Sequence, residues 1–282
     1  MPNPASAASL RRLLHGALEV ARLGAAVHEG YWKGAVADGL LLEVREKGVS
    51  DFVTAVDLEA EEVMVSYLRR YFPRHGILAE EGGGDAEAMT SHGQPLWVID
   101  PLDGTTNFLH GHPAFAASVG VVVNGEPVVG AVVAAATGDA WWAGRGLGAF
   151  HNHRPIRTSR VTGLKEALVG TGFPFKRLDE LPNFLDELSR VLPATSGIRR
   201  NGAAAVDLCF LAQGSLDAFW EGYLAPWDWA GGLAILQEAG GAWDSVEGGE
   251  FDLLQGGSLL AANSPQMLET LREKLRGASP EG

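Results

Sequence analysis

Apolar residues at Leu10, Leu13, Leu14, Ala17, Val20 and Ala21 recur at three- and four-residue intervals. That spacing predicts an N-terminal helix with one buried face, capped by Ser6 or Ser9. A second helix is predicted over 58–71, where Ala60, Val63, Met64, Tyr67, Leu68 and Tyr71 share a face. Asp57 precedes it, Glu59, Glu61 and Glu62 suit the positive helix start, and Pro73 stops it. The run Trp97-Val98-Ile99 predicts a buried strand that ends in Asp100-Pro101. Three valine- or aromatic-rich runs, 118–123, 128–135 and 140–143, predict an antiparallel meander, with Asn124-Gly125 as its first turn.

Beyond residue 150 the pattern alternates. Strands are predicted over 167–170, 216–220 and 258–261. Helices are predicted over 181–191, 203–213 and 229–239, the last closed by Gly240-Gly241, with a terminal helix from Pro265. No repeat and no low-complexity linker interrupts the chain. The expectation is two intimately packed halves, 1–147 and 148–282, with sheets sandwiched between helices.

Composition narrows the function. The 282 residues suit one or two domains, and 46% apolar with 20% charged residues is enough for a real core. With 22 basic and 35 acidic residues the net charge is −13, which argues against nucleic-acid and anionic-membrane binding. The single cysteine, Cys209, forms no internal disulfide and suits a reducing, cytoplasmic compartment. Arg11-Arg12 precedes Leu13-Leu14, but His15, Glu19 and Arg22 break any export signal. The longest stretch without charge, 104–125, carries Thr, Asn, His and glycines and does not read as a membrane span.

The segment Trp97-Val-Ile-Asp100-Pro101-Leu102-Asp103-Gly104-Thr105-Thr106-Asn107-Phe108 concentrates the chemistry. A buried strand would deliver Asp100 at its carboxyl end, with Asp103 within a turn. Pro101 removes a backbone donor, and Gly104 permits a tight turn and close approach of a ligand. A helical turn starting near Gly104 would offer its free N–H groups, with the Thr105 and Thr106 hydroxyls, to an anion. Two carboxylates repel that anion unless a divalent cation bridges them to phosphate oxygens. The plainer alternative is an Asx-turn at Asp103 and a helix cap at Asp100.

Other acids invite the same question. Glu80-Glu81 precedes Gly82-Gly83-Gly84 and is either a solvated loop or the source of a further ligand, Glu80. Asp228, between Trp227 and Trp229, is a helix N-cap or a rigidly held ligand. In Asp51-Phe-Val-Thr54-Ala-Val-Asp57 the last acid is a helix cap, or a cap and part of a site at once, and Arg45 and Lys47 read as surface charges. His110, His112, His151 and His153 lack a partner at zinc spacing, and Gly144-Arg-Gly146-Leu-Gly148 lies between strands rather than before a helix. Neither a P-loop nor a nucleophile elbow is present, and Cys209 reads as core.

Asp100-Pro-Leu-Asp103-Gly-Thr-Thr-Asn-Phe and Trp227-Asp228-Trp-Ala-Gly-Gly resemble the two signatures of the inositol monophosphatase family. Glu80-Glu81 and the segment ending in Asp57 stand in the expected order before the first, and the resemblance spans roughly residues 10–275. It implies an α+β fold, a layered αβαβα sandwich, and lithium-sensitive, magnesium-dependent hydrolysis of a small phosphate ester, commonly by a homodimer. It further implies two or three Mg2+ ions, with Mn2+ as a substitute. Glu80, Asp100 and the Leu102 carbonyl would take one, Asp100, Asp103 and Asp228 a second, and Glu80 with water a weaker third. Gly104 and Thr105 amides would hold phosphate, Thr105 and Asp57 would orient the attacking water, and Glu221, Gly202 and Ala204 would face the substrate. The implied reaction is in-line attack by metal-activated water, with no covalent intermediate.

Two positions depart from the family pattern. Ala203 replaces a common Ser or Thr beside the substrate, and His153 replaces a turn glycine. Within the family, histidinol-phosphate and 3′-phosphoadenosine phosphatases often carry a basic residue at the position of Thr106. Thr106-Asn107-Phe108 therefore points to inositol 1-phosphate, with fructose-1,6-bisphosphatase or dual specificity as alternatives and histidinol-phosphatase behind them. Arg199-Arg200 is either a second-phosphate contact or a surface pair. A different class is a non-catalytic binding module of a transcription complex that retains the fold.

Overall fold

The computed structural model describes residues 7–38, 44–48, 51–84, 93–249 and 251–277. The chain begins with α1 (Ala7–Asp38), a hairpin of β1 (Val44–Gly48) and β2 (Asp51–Thr54), and α2 (Ala55–Tyr71). Next come β3 (Gly76–Ala79), β4 (Gly83–Gly84), β5 (Leu96–Asp103) and the short α3 (Thr105–Leu109). The meander is β6 (Ala116–Val123), β7 (Glu126–Ala134), β8 (Asp139–Gly144), β9 (Gly148–His151) and β10 (Arg154–Pro155). The remainder is β11 (Leu168–Thr171), α4 (Leu181–Val191), β12 (Gly197–Arg199), α5 (Ala204–Ala212), β13 (Ala218–Leu224), α6 (Pro226–Ala239), β14 (Ala242–Asp244), β15 (Gly257–Ala262) and α7 (Pro265–Arg276).

Period-two burial builds the layers. Trp97 and Ile99 of β5 join α1 and α2 in one core, while Leu96 and Val98 join α5 and α6 in another. The strands of that sheet run β10-β9-β8-β7-β6-β5-β3-β4. The second sheet, β12-β11-β13-β15-β14, turns Phe219 and Leu259 towards α5 and α6, and Trp220 and Leu260 towards α7. The order is helix pair, sheet, helix pair, sheet, helix pair, which is the expected αβαβα sandwich. The expected 147/148 boundary falls between β8 and β9, neighbours in one sheet.

The central helix pair fits because α6 carries small residues. A Cβ on Gly130 would stand 2.1 Å from the Gly231 carbonyl, and one on Gly232 would stand 2.6 Å from Leu208 Cβ. Glycine thus lets α6 lie directly on β6 and β7 on one side and on α5 on the other. Asn124 and Gly125 both adopt positive φ, 54° and 78°, as the predicted two-residue turn requires.

Two helix starts differ from expectation, and a third bears on one of two expected caps. Helix α1 begins at Ala7, which puts Ser9 inside its first turn, while Ser6 lies outside the described residues. Helix α2 begins at Ala55 because Thr54, not Asp57, is the N-cap; the Thr54 hydroxyl accepts from Val56 N–H. Helix α6 begins at Pro226 with Ala225 as N-cap, so Asp228 lies in its first turn rather than before it. Among the described residues no helix is long and apolar enough to cross a membrane.

Candidate metal centre and active site

Strands β3 and β5 run parallel with Ala79 opposite Ile99, so Glu80 and Asp100 leave adjacent strands side by side. Asp100 pairs with Ser118 and Asp103 with Ala116, so β5 has one residue more than β6 across this interval. In a regular strand, positions three apart face opposite ways. The bulge cancels that reversal and turns both carboxylates to one side. Pro101 sits in the bulge, where the missing N–H breaks no ladder.

Helix starts hold the other acids. Asp57 is the third residue of α2, and its Oδ2 accepts from Thr54 N–H at 2.8 Å. Asp228 is the third residue of α6 and accepts from Ala225 N–H at 2.6 Å. Asp103 Oδ2 accepts from Ala205 N–H at 2.8 Å, capping α5 where the N-cap residue, Ala203, has no polar side chain. Each anion thus meets the positive end of a helix.

Carboxylate oxygens of Asp100, Asp103 and Asp228 lie within 4.8 Å of one another. They open into a cavity of about 380 Å³ that Glu80, Leu102, Gly104, Thr105, Gly202, Ala204 and Glu221 also line. Gly104 has φ 88° and ψ 37°, and a Cβ there would stand 2.8 Å from the Ala114 carbonyl, so the turn demands glycine. Asp57 is buried behind the wall of this cavity; Thr105 Oγ1 lies 3.0 Å from Asp57 Oδ1 and 3.1 Å from the Leu102 carbonyl. The structure therefore gathers every expected acid, with Asp57 reached through Thr105.

Burial is the largest influence on Asp100 and Asp103 and raises both well above the ordinary carboxylate range. The charges of Glu80, Asp103 and Asp228 push Asp100 further up, and Asp228 does so for Asp103. Glu221 is likewise raised, first by burial and then by Asp228, Asp207 and Asp103, with Arg200 offsetting part of the effect.

Of the Arg199-Arg200 pair, Arg200 reaches the cavity and lies over the rings of Phe173 and Phe175, two lining residues with no local sequence signal, 5.5 and 5.2 Å from their centroids. Arg199 is exposed outside it and donates to the Ile198 carbonyl. Tyr223, also on the rim, has φ 64°, a strained value for a bulky residue. Of the tempting histidines, His151 bonds Asp139 Oδ1 at 2.7 Å and stacks on Trp141, while His110 and His112 are exposed. His153 takes φ 66° in the β9–β10 turn, where glycine would be unstrained, and Cys209 is fully buried.

A family model described as inositol monophosphatase family matches residues 9–279. The chain belongs to the inositol monophosphatase family. It is 42% identical over 226 residues to Nus factor SuhB of Pseudomonas aeruginosa, covering 79% of this chain and 83% of that one. It is 40% identical over 236 residues to inositol-1-monophosphatase of Caulobacter vibrioides, covering 82% of this chain and 91% of that one. The fold matches inositol monophosphatase from Anabaena (Nostoc) sp. PCC 7120 with TM-score 0.83, at 35% identity over 97% of this chain and 98% of that one. Extragenic suppressor protein suhB from Bartonella henselae gives 0.82 at 33% identity, covering 97% of this chain and all of that one.

The inositol monophosphatase family is metal-dependent, and the donors here fit such an ion. They are hard carboxylate oxygens with a backbone carbonyl nearby, and no sulfur or imidazole joins the cluster among the described residues. Their mutual repulsion is the charge deficit a divalent cation removes.

Proposed function

We propose that the protein hydrolyses inositol 1-phosphate, with Mg2+ as its cation and Mn2+ as a substitute. The observation that supports this most is the convergence of three carboxylates beside the Gly104–Thr105 turn, an acid cluster adjoining anion-binding amides. Glu80, Asp100, the Leu102 carbonyl, Asp103 and Asp228 would hold the cations. Bound there, the ions supply Lewis-acid charge that activates water and steadies the departing alkoxide. The Gly104 and Thr105 N–H groups hold the phosphate. The Thr105 hydroxyl, backed by Asp57, orients the water for in-line attack. Glu221 accepts from a substrate hydroxyl. Gly172 makes room for it, since a Cβ there would fall 1.8 Å from Glu221 Oε1. Gly202 and Ala204 leave space for the ring.

Arg200 favours a second substrate, fructose 1,6-bisphosphate, whose distal phosphate it would meet. The apolar side chains of Leu178, Leu181, Leu185 and Leu192, exposed on and around α4, are a surface that a homodimer would cover, and sedimentation tests this. Phosphate release from both substrates, with Mg2+ and with or without Li+, tests the main reading. Turnover of inositol 1-phosphate that Li+ suppresses supports it. No release from any sugar or inositol phosphate would overturn it in favour of a non-catalytic binding module of a transcription complex.

A further inference from the structure

The buried face of α1 continues through Ala17, Ala21 and Gly24 to His28, which has no exposed surface. An apolar residue would suit that face, yet opposite it lies the carbonyl of Pro101, in the bulge where the β5–β6 ladder lapses. A buried carbonyl needs a donor. His28 Nε2 stands 2.8 Å from Pro101 O, and because a carbonyl only accepts, the ring hydrogen is on Nε2. Nδ1 is then a bare lone pair, buried with no partner among the described residues. The ring is wedged between Phe108 and Phe115, centroids 6.1 and 5.8 Å away. Burial pushes its pKa down to about 4, so the imidazole is neutral at physiological pH.

The peptide joining Pro101 to Leu102 is trans, and its C=O and N–H point opposite ways. On one side the carbonyl accepts from His28; on the other, Leu102 N–H donates to Asp100 Oδ1 at 3.0 Å. We propose that His28 is a positioning residue for the metal centre, pinning the peptide plane that orients the Asp100 carboxylate and the Leu102 carbonyl. The inference rests on the reading of those two groups as metal ligands. It assigns a role at the metal centre to a side chain on the far side of the strand.

The test compares His28→Met, which keeps the reach and loses the donor, with His28→Gln, which keeps both. Mn2+ binding to the full-length metal-free protein is titrated by calorimetry. Loss of an outer-shell partner predicts a roughly 10–100-fold rise in Mn2+ Kd for the Met variant. The Gln variant should restore most of the affinity. Unchanged binding in the Met variant, or equal losses in both, would overturn the inference. Absence of Mn2+ binding by the wild type would instead overturn the metal reading beneath it. Should the Met variant not fold, 15N NMR of the wild-type ring decides: a proton on Nε2 is expected, and one on Nδ1 refutes the hydrogen bond.

Discussion

Gly130→Ala tests how packing positions the site. The new Cβ would lie 2.1 Å from the Gly231 carbonyl oxygen and 3.0 Å from Ala234 Cβ. Both neighbours are close-packed, and the first is backbone, so α6 must lift from β7 by about 1 Å, a scale at which packed interiors resist. Overpacking of this kind costs about 1–3 kcal/mol. At roughly 2–4 °C per kcal/mol for a chain of this size, Tm should fall by about 2–12 °C. Asp228 rides on the first turn of the same helix, so Mn2+ affinity should fall with it. Calorimetric unfolding and Mn2+ titration of one preparation read both effects. Gly30→Ala is the control: it lies in α1, its Cβ would meet nothing within 4 Å, and helix propensity predicts a gain of up to about 1 kcal/mol. Wild-type Tm and Mn2+ affinity in Gly130→Ala would refute the claim that α6 sits at closest approach and carries Asp228 with it.

Asp103→Asn keeps an oxygen for the Ala205 N–H and removes a charge, so Mn2+ affinity should drop at least about tenfold while the metal-free Tm holds or rises; calorimetry checks both. Asp100 and Asp103 bind protons more readily folded than unfolded, since burial and like charges raise their pKa. Linkage then makes the metal-free protein lose stability as pH rises through those raised values and regain it as pH falls back. Asp207, raised to about 7 by burial, acts in the same direction, whereas His28, lowered to about 4, opposes it only below its unfolded value of 6.5. Metal-free Tm should therefore climb as pH falls from about 7, where Asp207 begins to take up its proton, towards about 5, three raised carboxyls outweighing one lowered imidazole, and saturating Mg2+ should reduce the share due to Asp100 and Asp103; a fall in Tm would contradict the assignment. Glu221→Gln should cut kcat/KM for inositol 1-phosphate more than for a featureless aryl phosphate, and equal losses would remove Glu221 from substrate recognition.

The acids were legible because each ends an apolar run at a turn residue: Glu80 before three glycines, Asp100 before Pro101, Asp228 after Pro226. The strands of the meander were legible as valine- and aromatic-rich runs and α1 and α2 from their helical spacing, while the αβαβα order came with the family resemblance. Helix starts were harder, because Thr54 and Ala225 cap from three residues ahead of the acids that look like caps. The bulge that turns Asp100 and Asp103 to one side was not legible, since it exists only as a register against β6. Nor was the role of His28, 73 residues from its partner, or of Phe173, Phe175 and Tyr223 at the rim. Those depend on contacts between distant segments, which local spacing does not record.

The central claim is that Asp100, Asp103 and Asp228 form one cation site beside the Gly104–Thr105 turn. A crystal grown with Mn2+ and inorganic phosphate, with anomalous data collected at the manganese edge, tests it directly. The account predicts a strong anomalous peak within coordination distance of all three carboxylates, with phosphate oxygens facing the Gly104 and Thr105 amides. Full-occupancy manganese elsewhere on the chain, with none among these acids, would contradict it.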